Sequence, residues 1–543
     1  MRNRLGFLLF LTISTVAILG GLLGDRVSAV SSPSDRTQSL LKTFTETLAL
    51  VQANYARDVA SEKLVESSIR GMLRTLDPHS SFFATRDYNR LQEEQHGKYY
   101  GLGISIRAES PGSGRVVIVE PPAPGTPAYK AGLRVGDVIF QIEGKPIEDW
   151  DLNDEVIPNL KGPRGTKVNI TVQRPGEVKP LDFVVERDEI PIYTIKFAFH
   201  IQPGVGYLRI DKFSETTGRE LDKSLRELGE VQLSGLVLDL RDNPGGSLSA
   251  AIAVADHFLK RKQLIVSTRS RGGTPDRTYT APHGRKYDYP MVVLINENSA
   301  SASEIVAGAL QDHDRALIVG ETSFGKALVQ TIYPLEGHRG LALTTGKYYT
   351  PSNRLIQRDY SGGFYDYFYN RKRAKHETRL KHETDGGRPV YDGGGITPDE
   401  RVEPLPYTKL ARQLNRKNLF FQFAARLTSG EIKSDVRYNY SHDEIAALDS
   451  SRKQDLVRKL LVSEKTLDIF RQYMKEKEVP FSDQSFAENR NFIRNRIKQE
   501  LFLTLFGERE GYRASLEIDP QVLRALELLP KAQVQVQGGI AGQ

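Results

Sequence analysis

GETSFGKALVQ runs from Gly320 to Gln330. Gly320, Gly325 and Lys326 stand at the G-x-x-x-x-G-K spacing that begins a phosphate-binding loop. Such a loop needs Ser or Thr after its lysine to ligate Mg²⁺, and Ala327 stands there instead. It should also open a helix, so that phosphate sits on the helix N-terminus. ALVQTIYPL, Ala327 to Leu335, reads as a strand. Glu321 adds negative charge where phosphate would lie. A nucleotide is therefore disfavoured, and the lysine needs another role.

Lys326 lies between Phe324 and the run Ala327-Leu328-Val329. Burial disfavours an ammonium and lowers its pKa, and a neutral lysine is a competent general base. Its nucleophile should lie close by in the fold. Upstream, MVVLINE is followed by NSASASEIVAGAL: strand, small-residue turn, helix. A serine in that turn has its oxygen at a helix N-terminus, where amides and the helix dipole favour an oxyanion. Ser299, Ser301 and Ser303 all qualify on this ground.

SASASEI followed by GETSFGKALVQ resembles the carboxy-terminal processing, or tail-specific, proteases. LVLDLRDNPGG (Leu236 to Gly246), GGGITPD (Gly393 to Asp399) and LDPHSSFF (Leu76 to Phe83) are further marks, and the likeness spans about residues 40 to 405. It implies a Ser/Lys dyad with the serine 25 residues before the lysine, which selects Ser301 as nucleophile and Lys326 as base. It implies a glutamine four residues after the lysine, and Gln330 stands there. Asp312 matches an aspartate that some members need. The expected oxyanion hole is the Ala302 amide with a glycine amide, Gly245 or Gly246. On a strand, Lys326 and Gln330 would share a face. The chain departs from the frequent G-K-G of the family at Ala327.

Working outward, Tyr99 to Ile190 reads as short strands and turns. AGLRVGDVI (Ala131 to Ile139) marks a stretch that resembles a PDZ domain. Its GLGI start places Gly101, Leu102, Gly103 and Ile104 where amides would take a peptide's terminal carboxylate, the peptide adding as an edge strand. Pro158 falls in the expected groove helix. From about residue 204, GVGYLRI, LSGLVLDLRD, YPMVVLINE and RALIVGE alternate with helical segments, which implies an α/β sheet.

The expected fold is multidomain, α/β and α+β. It comprises a signal peptide or anchor (1–30), an N-terminal helical region (31–96), a β-rich PDZ domain (97–190), the α/β protease core (191–405) and a helical C-terminal extension (406–543). The extension reads as an accessory domain with a frayed Gln/Gly-rich end, and residues 360–390 read as a surface insertion or disordered loop.

Arg2 and Arg4 precede an uncharged apolar run, Gly6 to Gly24, followed by the small-x-small triplet Val27-Ser28-Ala29. This is an export signal or a retained membrane anchor, and it predicts an extracytoplasmic protein, periplasmic in a bacterium with two membranes. The net charge of +7, from 75 basic and 68 acidic side chains in 543 residues, is too mild to argue for nucleic acid. With no cysteine there are no disulfides, thiolate metal sites or cysteine nucleophile. His376-Glu377 and His382 miss the HExxH spacing, so neither metal nor other cofactor is expected. His257 reads as a packed or half-exposed helix residue and His313 as a solvated one.

The resulting expectation is a serine endopeptidase that takes proteins or peptides by their exposed C-termini, with the PDZ domain gating access. The resemblance also allows for an adaptor protein and for a homo-oligomer formed through terminal helices. Two rivals remain: an inactive PDZ scaffold, and a P-loop nucleotidase, which would show a nucleotide-induced thermal shift.

Overall fold

The runs Gly235–Asp239, Met291–Ile295 and Leu317–Gly320 are buried at every position. Continuous apolar strands of this kind belong to parallel sheets covered on both faces. The computed structural model describes residues 35–108, 115–271, 275–285, 288–369 and 380–541. The leader over 1–30 and the His376-Glu377 pair lie outside them. The central sheet has the order Phe197–Gln202, Val205–Arg209, Gly235–Asp239, Met291–Ile295, Leu317–Gly320, Glu400–Arg401. Its first pair is antiparallel and the rest are parallel.

Alternation survives inside these apolar strands and divides them between two cores. Leu236, Leu238, Met291 and Val293 face the helices Leu248–Phe258 and Ala302–Asp312. Val237, Val292 and Leu294 face Val522, Ala525 and Leu529 of the helix Pro520–Ala541. The last helix of the chain thus covers one side of the central sheet, and the extension is not merely accessory. The helix also runs on to Ala541, through residues that read as frayed. Its first turns are anchored on the sheet, and adding residues to an anchored helix costs far less than nucleating one.

A second sheet is organised by the long strand Arg339–Tyr349, which pairs with Ser81–Phe83, Leu264–Ser270 and Leu328–Leu335. Residues 106–186 form an antiparallel sheet with its own core, including Ile118, Ile139, Ile142, Val168 and Ile170. The expected groove helix is present over Leu152–Leu160 and starts as a π-helical turn, with Pro158 in its α-helical end. Proline has no N–H to donate into a helix, so irregular bonding next to it has a cause. Residues 409–506 build a helical bundle around Phe420, Phe423 and Phe470.

The chain divides into two units, Met1–Leu76 and Asp77–Gln543. In the first, the described residues form the helices Asp35–Asn54 and Ser61–Arg74. The helix Thr85–His96 belongs to the second. The described part of 360–390 is not a featureless loop. It holds a helix, Phe364–Tyr369, and a hairpin of Lys381–Glu383 with Pro389–Tyr391. The helix is held because Tyr367 is buried against Phe324 and His79.

Candidate active site

Ser301 ends the turn after Met291–Ile295 and caps the helix Ala302–Asp312. Its backbone has φ +54° and ψ −112°, a region that non-glycine residues rarely occupy and that costs about 1–3 kcal/mol. Two features hold it there. The Ser301 amide donates to Glu304 Oε2 at 2.8 Å. Gly245 packs directly alongside, where a Cβ would lie 2.9 Å from the Ser301 Cβ and 2.7 Å from the Ala300 carbonyl oxygen.

The three serines of NSASAS differ sharply in use. Ser299 is buried and donates to the Leu240 carbonyl at 2.8 Å. Ser303 is buried and donates to the Asn243 carbonyl at 3.0 Å. Ser301 faces a cavity of about 740 Å³ that Lys326, Gln330, Gly246, Ala302 and His79 also line.

Lys326 Nζ donates to Gln330 Oε1 at 2.8 Å, and Gln330 Nε2 donates to the His79 carbonyl at 2.6 Å. The second bond fixes which end of the amide faces the lysine. The strand begins at Leu328, after the lysine, and carries an irregularity between Val329 and Gln330. The two side chains therefore meet across a strand entry and not by regular alternation alone. Burial holds the Lys326 amine below the ordinary lysine range, while the charges of Glu304 and Asp77 pull the other way. Among the described residues, Gln330 is the one side-chain hydrogen-bond partner of Lys326 Nζ.

Three contributors went unnoticed in the sequence. The buried Glu304 carboxylate accepts from the Ser301 and Lys326 amides at 2.8 and 2.9 Å, and from the Gly325 amide and Ser323 hydroxyl at 2.6 and 2.5 Å. Its place three residues after Ser301 is the S-x-x-E pattern of a capping box, a signal legible in the sequence. Burial pushes its pKa up to about 7 against these four bonds. Three of the four partners are backbone amides, which cannot accept a carboxyl proton, so the hydrogen bonding favours the ionised form. The Tyr348 hydroxyl is shared between the Lys326 carbonyl at 2.6 Å and the Ser301 carbonyl at 3.2 Å. His79 sits in a turn whose amides, at His79 and Ser80, bond Asp77 Oδ1 at 2.8 Å. Its ring meets the Tyr367 hydroxyl at 2.8 Å, and its pKa is pushed down to about 3 by burial and then by the charge of Lys326.

The Gly325 and Lys326 amides of GETSFGK are thus committed to a carboxylate, those of Glu321, Ser323 and Phe324 to main-chain carbonyls, and the lysine leads into a strand. The G-G-G-I motif clasps the same loop: Ile396 N donates to Ser323 Oγ at 2.6 Å and Ser323 N to the Ile396 carbonyl at 3.1 Å.

The expected oxyanion amides separate. The Ala302 and Gly246 N–H groups donate to nothing among the described residues and border the cavity. The Gly245 N–H is already engaged, by Asn243 Oδ1 at 2.9 Å. Gly245 is therefore corrected to a packing residue, because its loop closes on its own asparagine.

Asp312 is at the far end of the helix from Ser301, about 16 Å away at 1.5 Å per residue. It bonds Ser352 N and Oγ, at 2.9 and 2.8 Å, and pairs with the buried Arg354. It supports a turn and does not reach the cavity. His257 bonds Glu230, in keeping with a packed helix residue. His313 is not solvated: its side chain is 9% exposed and bonds Asp385 and the Leu264 carbonyl.

Flanking the 106–186 sheet, Gly101 ends the strand Lys98–Gly101, which pairs with Asp188–Pro191. Leu102 is buried and its carbonyl accepts from Ala128 N at 3.0 Å. Gly103 has φ +74°, and a Cβ there would lie 2.8 Å from Thr126. The N–H groups of Leu102, Gly103 and Ile104 donate to nothing among the described residues.

An α/β core with a cavity-facing serine at a strained strand-to-helix turn, and a half-buried lysine lining the same cavity, defines a serine-type peptidase. Residues 204–363 match Peptidase family S41, residues 118–174 the PDZ domain, and residues 24–86 the activating protease CtpB N-terminal domain. A carboxy-terminal-processing protease of Bartonella bacilliformis is 40% identical over 350 residues, 64% of this chain and 79% of that one. Carboxy-terminal processing protease CtpB of Bacillus subtilis is 35% identical over 334 residues, 61% and 68% of the two chains. The structure of a photosystem II D1 C-terminal processing protease matches at 28% identity over 66% of this chain and 92% of that one, with a TM-score of 0.34. The chain belongs to the S41 peptidases and, within them, to the carboxy-terminal-processing proteases.

Among the described residues no helix is long and apolar enough to cross a membrane.

Proposed function

We propose that the protein is an extracytoplasmic endopeptidase that binds protein substrates by exposed C-termini through its PDZ domain and cleaves them by a Ser301/Lys326 dyad. The observation that carries this is Lys326, half-buried against Gln330 on the wall of the cavity that Ser301 faces. A neutral Lys326 amine donates one N–H to Gln330 Oε1, which turns its lone pair toward the cavity. It takes the Ser301 proton as Oγ bonds to the scissile carbonyl carbon. The oxyanion is held by the Ala302 and Gly246 amides at the head of the helix. Lys326 then gives that proton to the departing amine as the C–N bond breaks, leaving an acyl-enzyme. Water attacks the ester, Lys326 accepts its proton, and the Ser301 oxygen recovers it as the acid product leaves.

The unengaged amides at Leu102, Gly103 and Ile104 support carboxylate capture by the PDZ domain. The apolar lining of the cavity, including Phe83, Leu248, Ile305 and Leu328, supports an apolar side chain at the cleaved position. The charged-then-apolar leader supports export.

The test is cleavage of denatured casein by the full chain. Wild type should cut it, and Ser301→Ala and Lys326→Ala should retain their circular dichroism and lose cleavage. A folded Ser301→Ala variant with undiminished cleavage would refute the dyad, and fractionation of the expressing cell decides the compartment. If deleting residues 97–190 leaves cleavage of C-terminally tagged and untagged substrates equal to wild type, the PDZ role is wrong.

A further inference from the structure

Asp239 ends the strand Gly235–Asp239 and is fully buried. A carboxylate there must have its oxygens satisfied. Arg241 supplies most of this, with Nη2 at 2.6 Å and its own amide at 2.9 Å. The Tyr207 hydroxyl supplies the rest, at 2.6 Å. Both donors then extend to the far end of the chain. Tyr207 Oη lies 2.9 Å from the Tyr512 hydroxyl. Arg241 Nη1 donates to Asp519 Oδ2 at 2.7 Å and Gln521 Oε1 at 2.8 Å. Gln521 Nε2 in turn holds the Val402 carbonyl at 2.8 Å.

Two residues after Arg241 the chain becomes the loop beside Ser301. The Asn243 carbonyl accepts from Ala300 N and Ser303 Oγ, each at 3.0 Å, and Asn243 Nδ2 donates to the Ile210 carbonyl at 2.8 Å. The stretch from Arg241 to Gly246 is thus tied at one end to the C-terminal segment and at the other to the Ser301 turn.

We propose that Asp519, with Tyr512 and Gln521, positions the Asn243–Gly246 loop for cleavage, so that docking of the C-terminal segment sets the competence of the site. This rests on the Ser301 mechanism above. Asp519 touches no reacting atom and acts through Arg241. A displacement of about 1 Å at such a loop costs up to a hundredfold in rate.

The test uses the full chain with three variants. Asp519→Ala removes the acceptor for Arg241 and also the Oδ1 that accepts the Gln521 and Val522 amides, whereas Asp519→Asn with its oxygen on those amides keeps the helix cap and turns an NH₂ toward Arg241. Leu529→Ala loosens the same C-terminal helix where Leu529 packs on Gly235, at the opposite end of the strand from Arg241. On denatured casein, Asp519→Ala should lower kcat about tenfold or more with KM within about twofold, and Asp519→Asn, which keeps the cap but not the acceptor for Arg241, should lower kcat in the same direction. Leu529→Ala should lower Tm without that fall in kcat. Hydrogen exchange of the 242–247 amides should speed up in Asp519→Ala and not in Leu529→Ala. If Asp519→Ala does not fold, Tyr512→Phe, which removes one hydroxyl, takes its place in both measurements. An unchanged kcat, an equal fall in Leu529→Ala, or unaltered loop exchange overturns the proposal. Exchange is read without turnover, so a chain that cleaves nothing would remove the proposed function while the loop measurement still decides this one.

Discussion

Glu304 Oε2 accepts the main-chain amide of Lys326 at 2.9 Å, and the same oxygen accepts the Ser301 amide at 2.8 Å. One carboxylate oxygen thereby sets the spacing of two backbones that are 25 residues apart in the chain. Glu304→Gln swaps one oxygen for an NH₂ group, and either orientation of the amide points donors at donors. We expect a stability loss of about 1–3 kcal/mol by chemical denaturation and a fall in kcat of at least about tenfold. A variant with wild-type kcat would remove Glu304 from the positioning of the pair.

The pH profile of cleavage should rise to a plateau as Lys326 loses its proton. Burial lowers that pKa, so the midpoint falls below the ordinary lysine value of about 10.4. The unfolded chain binds the proton more tightly over this window. Stability therefore also rises with pH between the folded and unfolded values of Lys326. A kcat limb at or above the ordinary lysine value would contradict a base kept dry by the protein.

His79 has the same sign at lower pH. Its folded pKa of about 3 lies below the ordinary 6.5, so its stabilising contribution is complete above about 6.5 and is lost as pH falls toward 3. Thermal unfolding between pH 7 and 4 should show a shallower decline in Tm for His79→Phe than for wild type. Equal slopes would mean that the ring is not buried neutral.

Gly245→Ala should destabilise by more than about 1 kcal/mol and abolish cleavage. The position has φ +99°, and the added Cβ would lie 2.7 Å from the Ala300 carbonyl oxygen, so both the backbone and the Ser301 turn must move. Retained activity with an unchanged denaturation midpoint would show that the loop yields without moving Ser301.

Asp312→Ala should act on stability. Arg354 is fully buried, and removing its partner leaves an uncompensated charge worth about 3–5 kcal/mol. Loss of activity should track the unfolded fraction measured by urea titration. A fully folded variant with depressed kcat would instead tie Asp312 to the chemistry.

Much of this architecture is legible locally. Val237 and Leu238 are neighbours that pack into different cores, and the continuous apolar runs around them announce a sheet covered on both faces. Small residues around Ser301 mark a tight strand-to-helix turn, and the departure from a P-loop is readable at Ala327. These signals survive in one dimension because each depends on neighbours within a turn or a pleat.

The rest depended on how separate elements stack. The carbonyl that orients Gln330 comes from His79, 251 residues earlier, and the acceptor that holds Arg241 comes from Asp519, 278 residues later. The Gly245 amide looked as eligible as that of Gly246 until the loop closed on Asn243. His313 looked solvated until Leu264 and Asp385 met it. Propensity and periodicity report only what a residue prefers beside its neighbours. Which distant oxygen a donor finally meets is decided when the sheets, loops and terminal helix pack together, since a buried polar group must be paired by whatever the fold brings to it.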